Sequence, residues 1–563
     1  MKKASKEIAV IDIETDPFEF NVRPRPFCIG FKTHDNYISW WGNDCLEKFF
    51  QYLRKHITKP LIIYSHNGGH FDFFFFVEKM TGKIMIVNSR ILKCNVGRHE
   101  FRDSFSIVPV PLQAYAKNPI DYMLMKKGVR HLHREEILAY LESDCKYLYE
   151  LVTLFHKEFG NVLTIGSTAM QEIRKRHKLE TANLHSNPKR YDREFRPFFF
   201  GGRTQVFQTG IIKGDYKIYD VNSMYPSVMR DFEHPASVTY RQTERINKNT
   251  DFAVIDASNY GALPARSDEI EGISFVEHRG IYAATIHEIN AGLDTNTLEI
   301  HKVIRAYEFD KKISFDKFVD HFYSQRLKAK ALIKASEAGT DDFKRGKAHD
   351  LFYKLVMNAG FGKWAQDPSD FMDYIILPWD DWPDEPEYKL TYETQDWAIF
   401  GKPAKSKPYF NVATAASITG AARAQLLRAL AVADTPIYCD TDSIICKNLP
   451  EGKGIKVSDT YLGAWKIEKS VDEMAIAGKK LYACWKNGEA AKWASKGVRL
   501  EANEIREIAE GEEKVYRNPA PKFGFDGGAK FITRRVKATA LNQERVTIGR
   551  KRKSQERPET LPL

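Results

Sequence analysis

The chain has 563 residues, 43% hydrophobic and 13% aromatic, without a low-complexity tract; this is a globular composition with room for several domains of ~100–200 residues, and it excludes a disordered chain. Lys and Arg outnumber Asp and Glu by 85 to 74, a formal net charge of +11, which suits a phosphate-rich partner although proteins that bind no nucleic acid reach the same balance. The seven cysteines (Cys28, Cys45, Cys94, Cys145, Cys439, Cys446 and Cys484) are scattered and include no C-x-x-C pair, which argues against a disulfide framework and a zinc site and for a reducing compartment.

The first element is a strand over residues 8–16, whose alternation sends Asp12 and Glu14 to one face. A second apolar run, 61–64, ends in Ser65-His66-Asn67-Gly68-Gly69-His70-Phe71-Asp72. A helical stretch over 135–155 places Tyr140 and Asp144, i and i+4, on one side. Four carboxylates from separated elements thus have a route to one site, although each alone reads equally as a cap or a surface charge. Two short segments lie between, Ser104-Phe105 and Lys117-Asn118-Pro119-Ile120. Residues 160–196 are charged and helix-prone and read as a connection between domains. They lead to Pro197-Phe198-Phe199-Phe200-Gly201-Gly202-Arg203, where paired glycines allow close backbone approach to a phosphate strand, or simply make a turn.

A β-like run, 216–219, then delivers Asp220-Val221-Asn222-Ser223-Met224-Tyr225-Pro226-Ser227, an acid at a strand end followed by turn formers. Residues 229–313 are β-like and loop-rich. A helix beginning near Phe315 carries Arg326 and Lys330 at i,i+4, which repel unless an anion or solvent lies between them. In the helix-like run 341–363, Lys354 and Phe361 share a face; that face could pair a triphosphate while stacking on a base, or belong to an ordinary amphipathic helix. Residues 364–408, rich in Pro, Asp, Trp and Tyr, read as an irregular insertion, and a helix over 414–433 follows. Next, Tyr438-Cys439-Asp440-Thr441-Asp442-Ser443 sits between apolar pairs and reads as a hairpin with Asp440 and Asp442 aimed to one side. Carboxylates that close raise each other's pKa, so the pair implies a cation unless it is a solvated acidic turn. If Asp220 occupies a neighbouring strand, three carboxylates surround one point. Hard oxygen ligands suit Mg²⁺, and two ions ~3.5–4 Å apart can hold the attacking and leaving oxygens of an in-line phosphoryl displacement. Residues 492–563 alternate helix-prone, basic and Gly-containing segments, ending in the basic tail Arg550-Lys551-Arg552-Lys553.

Taken in order, 220–227, 354–362 and 438–443 resemble motifs A, B and C of the family B DNA polymerases (D-x-x-S-L-Y-P-S, K-x-x-x-N-S-x-Y-G and Y-x-D-T-D-S). The N-terminal acids resemble that family's 3′–5′ exonuclease motifs, D-x-E, N-x(2–3)-F-D and Y-x-x-x-D. The resemblance implies an α/β and α+β multidomain chain: an RNase H-like exonuclease domain with its linker over 1–195, then a right-hand polymerase domain over 196–563. Within the latter it implies a palm at about 210–313 and 406–485, fingers at about 314–365 and a thumb at about 486–563. In the exonuclease half, Asp12, Glu14, Asp72 and Asp144 would bind two metal ions, Tyr140 would orient the attacking water and Lys117, in a K-x-x-h segment, would assist. Asn67, Phe71, Ser104 and Phe105 would hold the frayed 3′ end, where stacking on an unpaired base is worth ~1–3 kcal/mol. In the polymerase half, Asp220, Val221 and Asp442 would bind two Mg²⁺, for which Mn²⁺ can substitute, with Asp440 supporting them electrostatically or as an occasional ligand. Val221 and Tyr225 would face the nucleotide, with Tyr225 excluding a 2′-OH. Arg326, Lys330 and Lys354 would clamp the triphosphate, and Phe361 would close over the nascent pair. Gly201 and Gly202 match the Y-x-G-G link, and Lys480 and Tyr482, in a K-x-Y motif, would lie against the primer terminus. Phe199, Phe361 and Ala359 stand where the family usually has Tyr, Tyr and Ser, so roles that need those hydroxyls do not carry over.

The compact size resembles the protein-primed branch found in phages and linear plasmids. The intervals between the motifs leave space for that branch's two insertions, at about 229–300 for contact with a terminal protein and about 366–405 for processivity. The expectation is a DNA-templated DNA polymerase with proofreading exonuclease. It would use template and primer DNA, dNTPs and a terminal protein primer, and act as a monomer. A polymerase that only extends nucleic-acid primers, a nuclease whose second half merely grips DNA, and a non-catalytic nucleic-acid-binding factor are the competing readings. With no signal-peptide core and no run approaching 18 apolar residues, the chain is expected to be soluble and intracellular, in host cytoplasm if carried by a virus or plasmid.

Overall fold

The computed structural model describes residues 7–538 except Asn21, 267–271, Val276, 368–369, 405–409, Lys453 and 526–527; the basic tail at 550–553 lies outside the described residues. The strand Glu7–Thr15 is central in the N-terminal sheet, antiparallel to Pro26–Lys32 and parallel to Leu61–Ser65. Neighbours on both sides explain its near-continuous apolar run, against which Asp12 and Glu14 stand out. The helix Arg134–Phe159 lies across this strand pair. Its seat needs Gly30, since a Cβ there would come within 2.8 Å of Cys145 Sγ and 3.1 Å of Leu141 Cγ. A missing side chain in one strand therefore sets how closely Asp144 approaches the sheet.

The described part of residues 364–408 is not irregular. It contains the strands Met372–Pro378, Lys389–Glu393 and Trp397–Pro403, and Met372–Pro378 pairs with Gly82–Val87, so the N-terminal sheet grows to ten strands. The Pro-, Asp- and Trp-rich connector at 379–388 had concealed the alternation of the strands flanking it.

A second sheet of seven strands runs Glu489–Ser495, Leu481–Lys486, Trp465–Gly478, Gly210–Val221, Ser443–Cys446, Tyr438–Asp440, Thr204–Val206. It extends past the boundary expected at 485. The cause is a hairpin at Asn487-Gly488, both with positive φ (52° and 80°), the dipeptide most suited to a two-residue hairpin turn. Residues 229–313 supply all four strands of a separate sheet, in the order Tyr240–Thr243, Leu298–Phe309, Phe252–Tyr260, Glu277–Thr285.

The helices Asp316–Ala335 and Asp341–Trp364 pack as a pair joined by a turn in which Gly339 takes φ 89° and Thr340 caps the second helix. Arg326 Nε donates to Asp350 Oδ1 across them at 2.8 Å. A single core runs from the first half to the second: Phe155 and Phe159 meet Phe352 and Phe322, and the cluster continues through Val221, Val228, Ile418 and Cys439. Near the end of the described chain, Phe523 and Phe525 pack on Phe71, Phe74 and Phe75 of the first half and on Tyr392.

Candidate active site

Asp220, next to last in its strand, lies directly opposite Ser443, and the Val221 N–H donates to the Asp442 carbonyl at 2.8 Å. Residues 220 and 442 are therefore neighbours along the edge of the seven-stranded sheet formed by its strand ends, beside the central strand Gly210–Val221. The hairpin tip is tighter than alternation predicts: Thr441 has φ 57°, and the Asp442 N–H reaches the Asp440 carbonyl at 2.6 Å. Gly202 cradles that tip, since a Cβ on it would stand 2.6 Å from Thr441 Oγ1, and the Arg203 carbonyl accepts from the Thr441 N–H at 2.6 Å. Burial, with Asp220 and Asp440 nearby, pushes the Asp442 carboxyl up to about 6. Asp220 is also raised by burial, an effect opposed by the Lys466 ammonium 3.7 Å away. Asp440 differs from both: Lys480 Nζ contacts its two oxygens at 2.8 and 2.7 Å, and Thr204 Oγ1 donates to it at 2.8 Å.

Around this edge, the Tyr225 ring stacks on Phe361 with centroids 4.0 Å apart. Lys330 is lowered by burial and by the charges of Arg326, Lys466 and Lys354. Val221 has a buried side chain, so it can offer a ligand only its backbone. Tyr482 is buried against Tyr438. The Gly201 carbonyl, with that of Phe200, accepts from Arg423 Nη1 at 2.8 and 2.6 Å. Arg423, Lys466 and Arg90 (below) escaped sequence reasoning because a lone basic residue in an apolar or mixed run carries no periodic signal.

The second group of acids lies in the first half. Glu14, Asp72 and Asp144 are buried, and burial with mutual repulsion pushes Asp12 up to about 7 and raises Glu14 and Asp72 well above the ordinary range. Ser65 Oγ donates to Asp72. Lys117 Nζ stands 3.5 Å from Asp144 Oδ2 and 3.2 Å from the Tyr122 hydroxyl, which is 3.1 Å from the Tyr140 hydroxyl. Tyr140 therefore belongs to a hydrogen-bonded chain with Lys117, in which Tyr122 was not anticipated. Asn67, at φ 62°, accepts from Arg90 Nη2 at 3.0 Å, and Arg90 also lies over the Phe105 ring and bonds Asp103. Ser104 is buried, its hydroxyl shared between His66 Nδ1 and the Ser65 carbonyl. Phe71 is engaged edge-on by Phe523.

Among the described residues no three His, Cys, Asp or Glu side chains form a ready-made ion cage. The donors nevertheless suit a hard divalent cation: they are carboxylates, several are buried at elevated pKa, and Asp144 Oδ1 is buried with no hydrogen-bond partner. Apposed carboxylates lose their mutual repulsion when a cation lies between them.

A profile of DNA polymerase type B, organellar and viral, matches residues 124–456. The chain is 42% identical over 570 residues to the DNA-directed DNA polymerase of Enterobacteria phage PRD1, covering 96% of this chain and 99% of that protein. It is 22% identical to the DNA polymerase of Bacillus phage Nf, over 68% of this chain and 66% of the other. Its fold is similar to that of Phi29 DNA polymerase complexed with primer-template DNA and incoming nucleotide substrates, at TM-score 0.71 and 18% identity, covering 95% of this chain and 100% of that one.

Proposed function

The chain belongs to the organellar and viral type B DNA polymerases, and we propose that it copies a DNA template from the Asp220–Asp442 edge and edits from the Asp12, Glu14, Asp72 and Asp144 group. It is a DNA-directed DNA polymerase of the family B fold, with an exonuclease half and a right-hand polymerase half. The observation that carries the site assignment is the adjacency of Asp220, on its strand, to Asp442, in the hairpin turn that precedes the paired strand Ser443–Cys446. Asp220, Asp442 and the Val221 backbone would hold Mg²⁺ or Mn²⁺, which when bound supplies electrostatic stabilisation of the oxygens exchanged at phosphorus.

The remaining roles fall to the chain's own groups. Tyr225, stacked on Phe361, forms a floor beneath the sugar of the incoming dNTP. Lys330 and Lys354 bind the triphosphate, together with the part of the Arg326 guanidinium that Asp350 does not engage. Lys480 neutralises Asp440, so that the acids around the primer terminus do not all repel the DNA. In the editing group, Asp12, Glu14, Asp72 and Asp144 would hold divalent cations, and the Lys117–Tyr122–Tyr140 chain orients water beside the scissile phosphate. Asn67, Phe71, Ser104 and Phe105 line the path of the unpaired 3′ end, where the aromatic rings supply stacking.

The palm corresponds to the seven-stranded sheet through residue 495, the fingers to the helix pair, and the thumb to the remainder of the C-terminal segment. Replication starts on a hydroxyl of a separate terminal protein, which the four-stranded sheet within 229–313 would contact. The compact chain and the interval between residues 227 and 354, which holds this sheet, support this mode of priming. No helix among the described residues is long and apolar enough to cross a membrane.

The deciding experiment offers the chain labelled dNTP, Mg²⁺, and either an oligonucleotide primer-template or a candidate priming protein. Label on both substrates supports the full reading. Label on DNA alone removes the terminal-protein part, and label on neither removes the polymerase assignment of the site.

A further inference from the structure

Lys466 pairs directly with Asp220 across adjacent antiparallel strands, and residues so paired project to the same face. Its Nζ stands 3.7 Å from Asp220 Oδ1, and the side chain is 37% exposed. At that distance the ammonium is attracted to the carboxylate without giving it a hydrogen bond. Three other cations near these acids are already engaged: Lys480 with Asp440, Lys492 with Glu468 at 2.6 Å, and Arg326 with Asp350. Lys354 acts on Asp220 as Lys466 does, and Lys330 feels Lys466 together with Lys354 and Arg326, so the palm lysine and the finger cations share one electrostatic neighbourhood. Like charges gathered in this way repel unless an anion lies among them.

From this juxtaposition, and resting on the polymerase reading above, we propose that Lys466 is a substrate-contacting residue whose ammonium binds phosphate oxygens of the incoming dNTP and of the pyrophosphate it releases. Lys466 forms the palm side of a phosphate clamp whose other side is Lys330 and Lys354. As the O3′–Pα bond forms, the bond from Pα to the bridging oxygen of the β-phosphate breaks. The electron pair leaves with pyrophosphate and the hydroxyl proton passes to solvent. Lys466 offsets the charge that accumulates on the leaving group.

The test uses the full chain with a defined primer-template and Mg²⁺. Lys466→Ala is expected to raise the dNTP KM about tenfold, the size of one charge-assisted hydrogen bond, and to weaken inhibition by pyrophosphate comparably. On a dideoxy-terminated primer, where no bond can form, dNTP affinity falls by the same factor. Lys466→Arg keeps all three values within about threefold of the parent, since the charge remains. Primer-template affinity is unchanged in both variants. Should Lys466→Ala melt at a lower temperature than the parent, Lys466→Gln, with its longer stem, carries the same comparison. Unchanged dNTP affinity and pyrophosphate inhibition in a polymerising chain overturn this inference alone, as does an Arg variant as weak as the Ala variant. A parent chain that incorporates no nucleotide overturns the polymerase reading along with it.

Discussion

Asp442 and Asp440 are two positions apart and have different surroundings. Asp442 is half-buried beside Asp220, and among the described residues no cation is hydrogen-bonded to it, whereas Asp440 is bonded to Lys480 and Thr204. Asp442→Asn is therefore expected to cut nucleotide incorporation by roughly 10³-fold, the scale on which catalysis falls when a stabiliser of transition-state charge is lost, with primer-template binding retained. The raised carboxyls also predict a pH effect in the absence of divalent cations. Asp442 at about 6 and Asp12 at about 7 hold protons in the folded chain that the unfolded chain has released above roughly pH 4. Their contribution to stability is thus fully present at low pH and is lost as pH rises through about 6 and 7. In chelator, the Tm should fall between about pH 5 and pH 8, and Mg²⁺ should raise it more at the upper pH than at the lower. A Tm in chelator that rises across this range contradicts the burial of these acids.

The elements show why the sequence disclosed some features and hid others. Asp12, Glu14, Asp72, Asp220 and Asp442 stood out as candidates because acids within or shortly after apolar strands interrupt a pattern that burial otherwise enforces. The link from Asp440 to Lys480 was not, because it joins side chains forty residues apart, and no local pattern encodes such a contact. The strands at 372–403 escaped because their alternation is broken by a Pro- and Asp-rich connector. The strand Glu489–Ser495 could have been read from Asn487-Gly488, a hairpin signal that was present and unused. The turn that holds Thr441 gives this scale its prediction: Gly202→Ala would drive a Cβ into Thr441 Oγ1 and Cγ2, 2.6 and 2.8 Å away. Incorporation should fall at least tenfold if the tip shifts as this clash requires, while degradation of a single-stranded oligonucleotide changes by less than about threefold. Equal loss of both activities would show that Gly202 serves the fold in general rather than the hairpin tip.

At the scale of the whole molecule, the two halves expected from sequence are joined, among the described residues, in several places, three of which bear on stability. The ten-stranded sheet takes strands from both, one core passes between them through Phe155, Phe352 and Phe322, and Phe523 and Phe525 of the C-terminal segment pack on the first half. Residues 1–195 made alone should therefore expose this shared apolar surface and fail to give a sharp melting transition, whereas the full chain should unfold in one dominant step. Phe523→Ala should lower stability by about 3 kcal/mol, as for loss of a well-packed aromatic ring, measured by urea titration. Two separate transitions in the parent chain would contradict a common core.

The pairing of Met372–Pro378 with Gly82–Val87 has a mechanical consequence. Backbone bonds that span both halves resist a hinge between them, which holds the separation of the synthetic and editing acids nearly constant. On the proposed assignment of the two acid groups, a mispaired end would cross that gap by unzipping from its template, and variants that leave this strand pairing intact should correct errors at a frequency that follows how readily the last base pairs open.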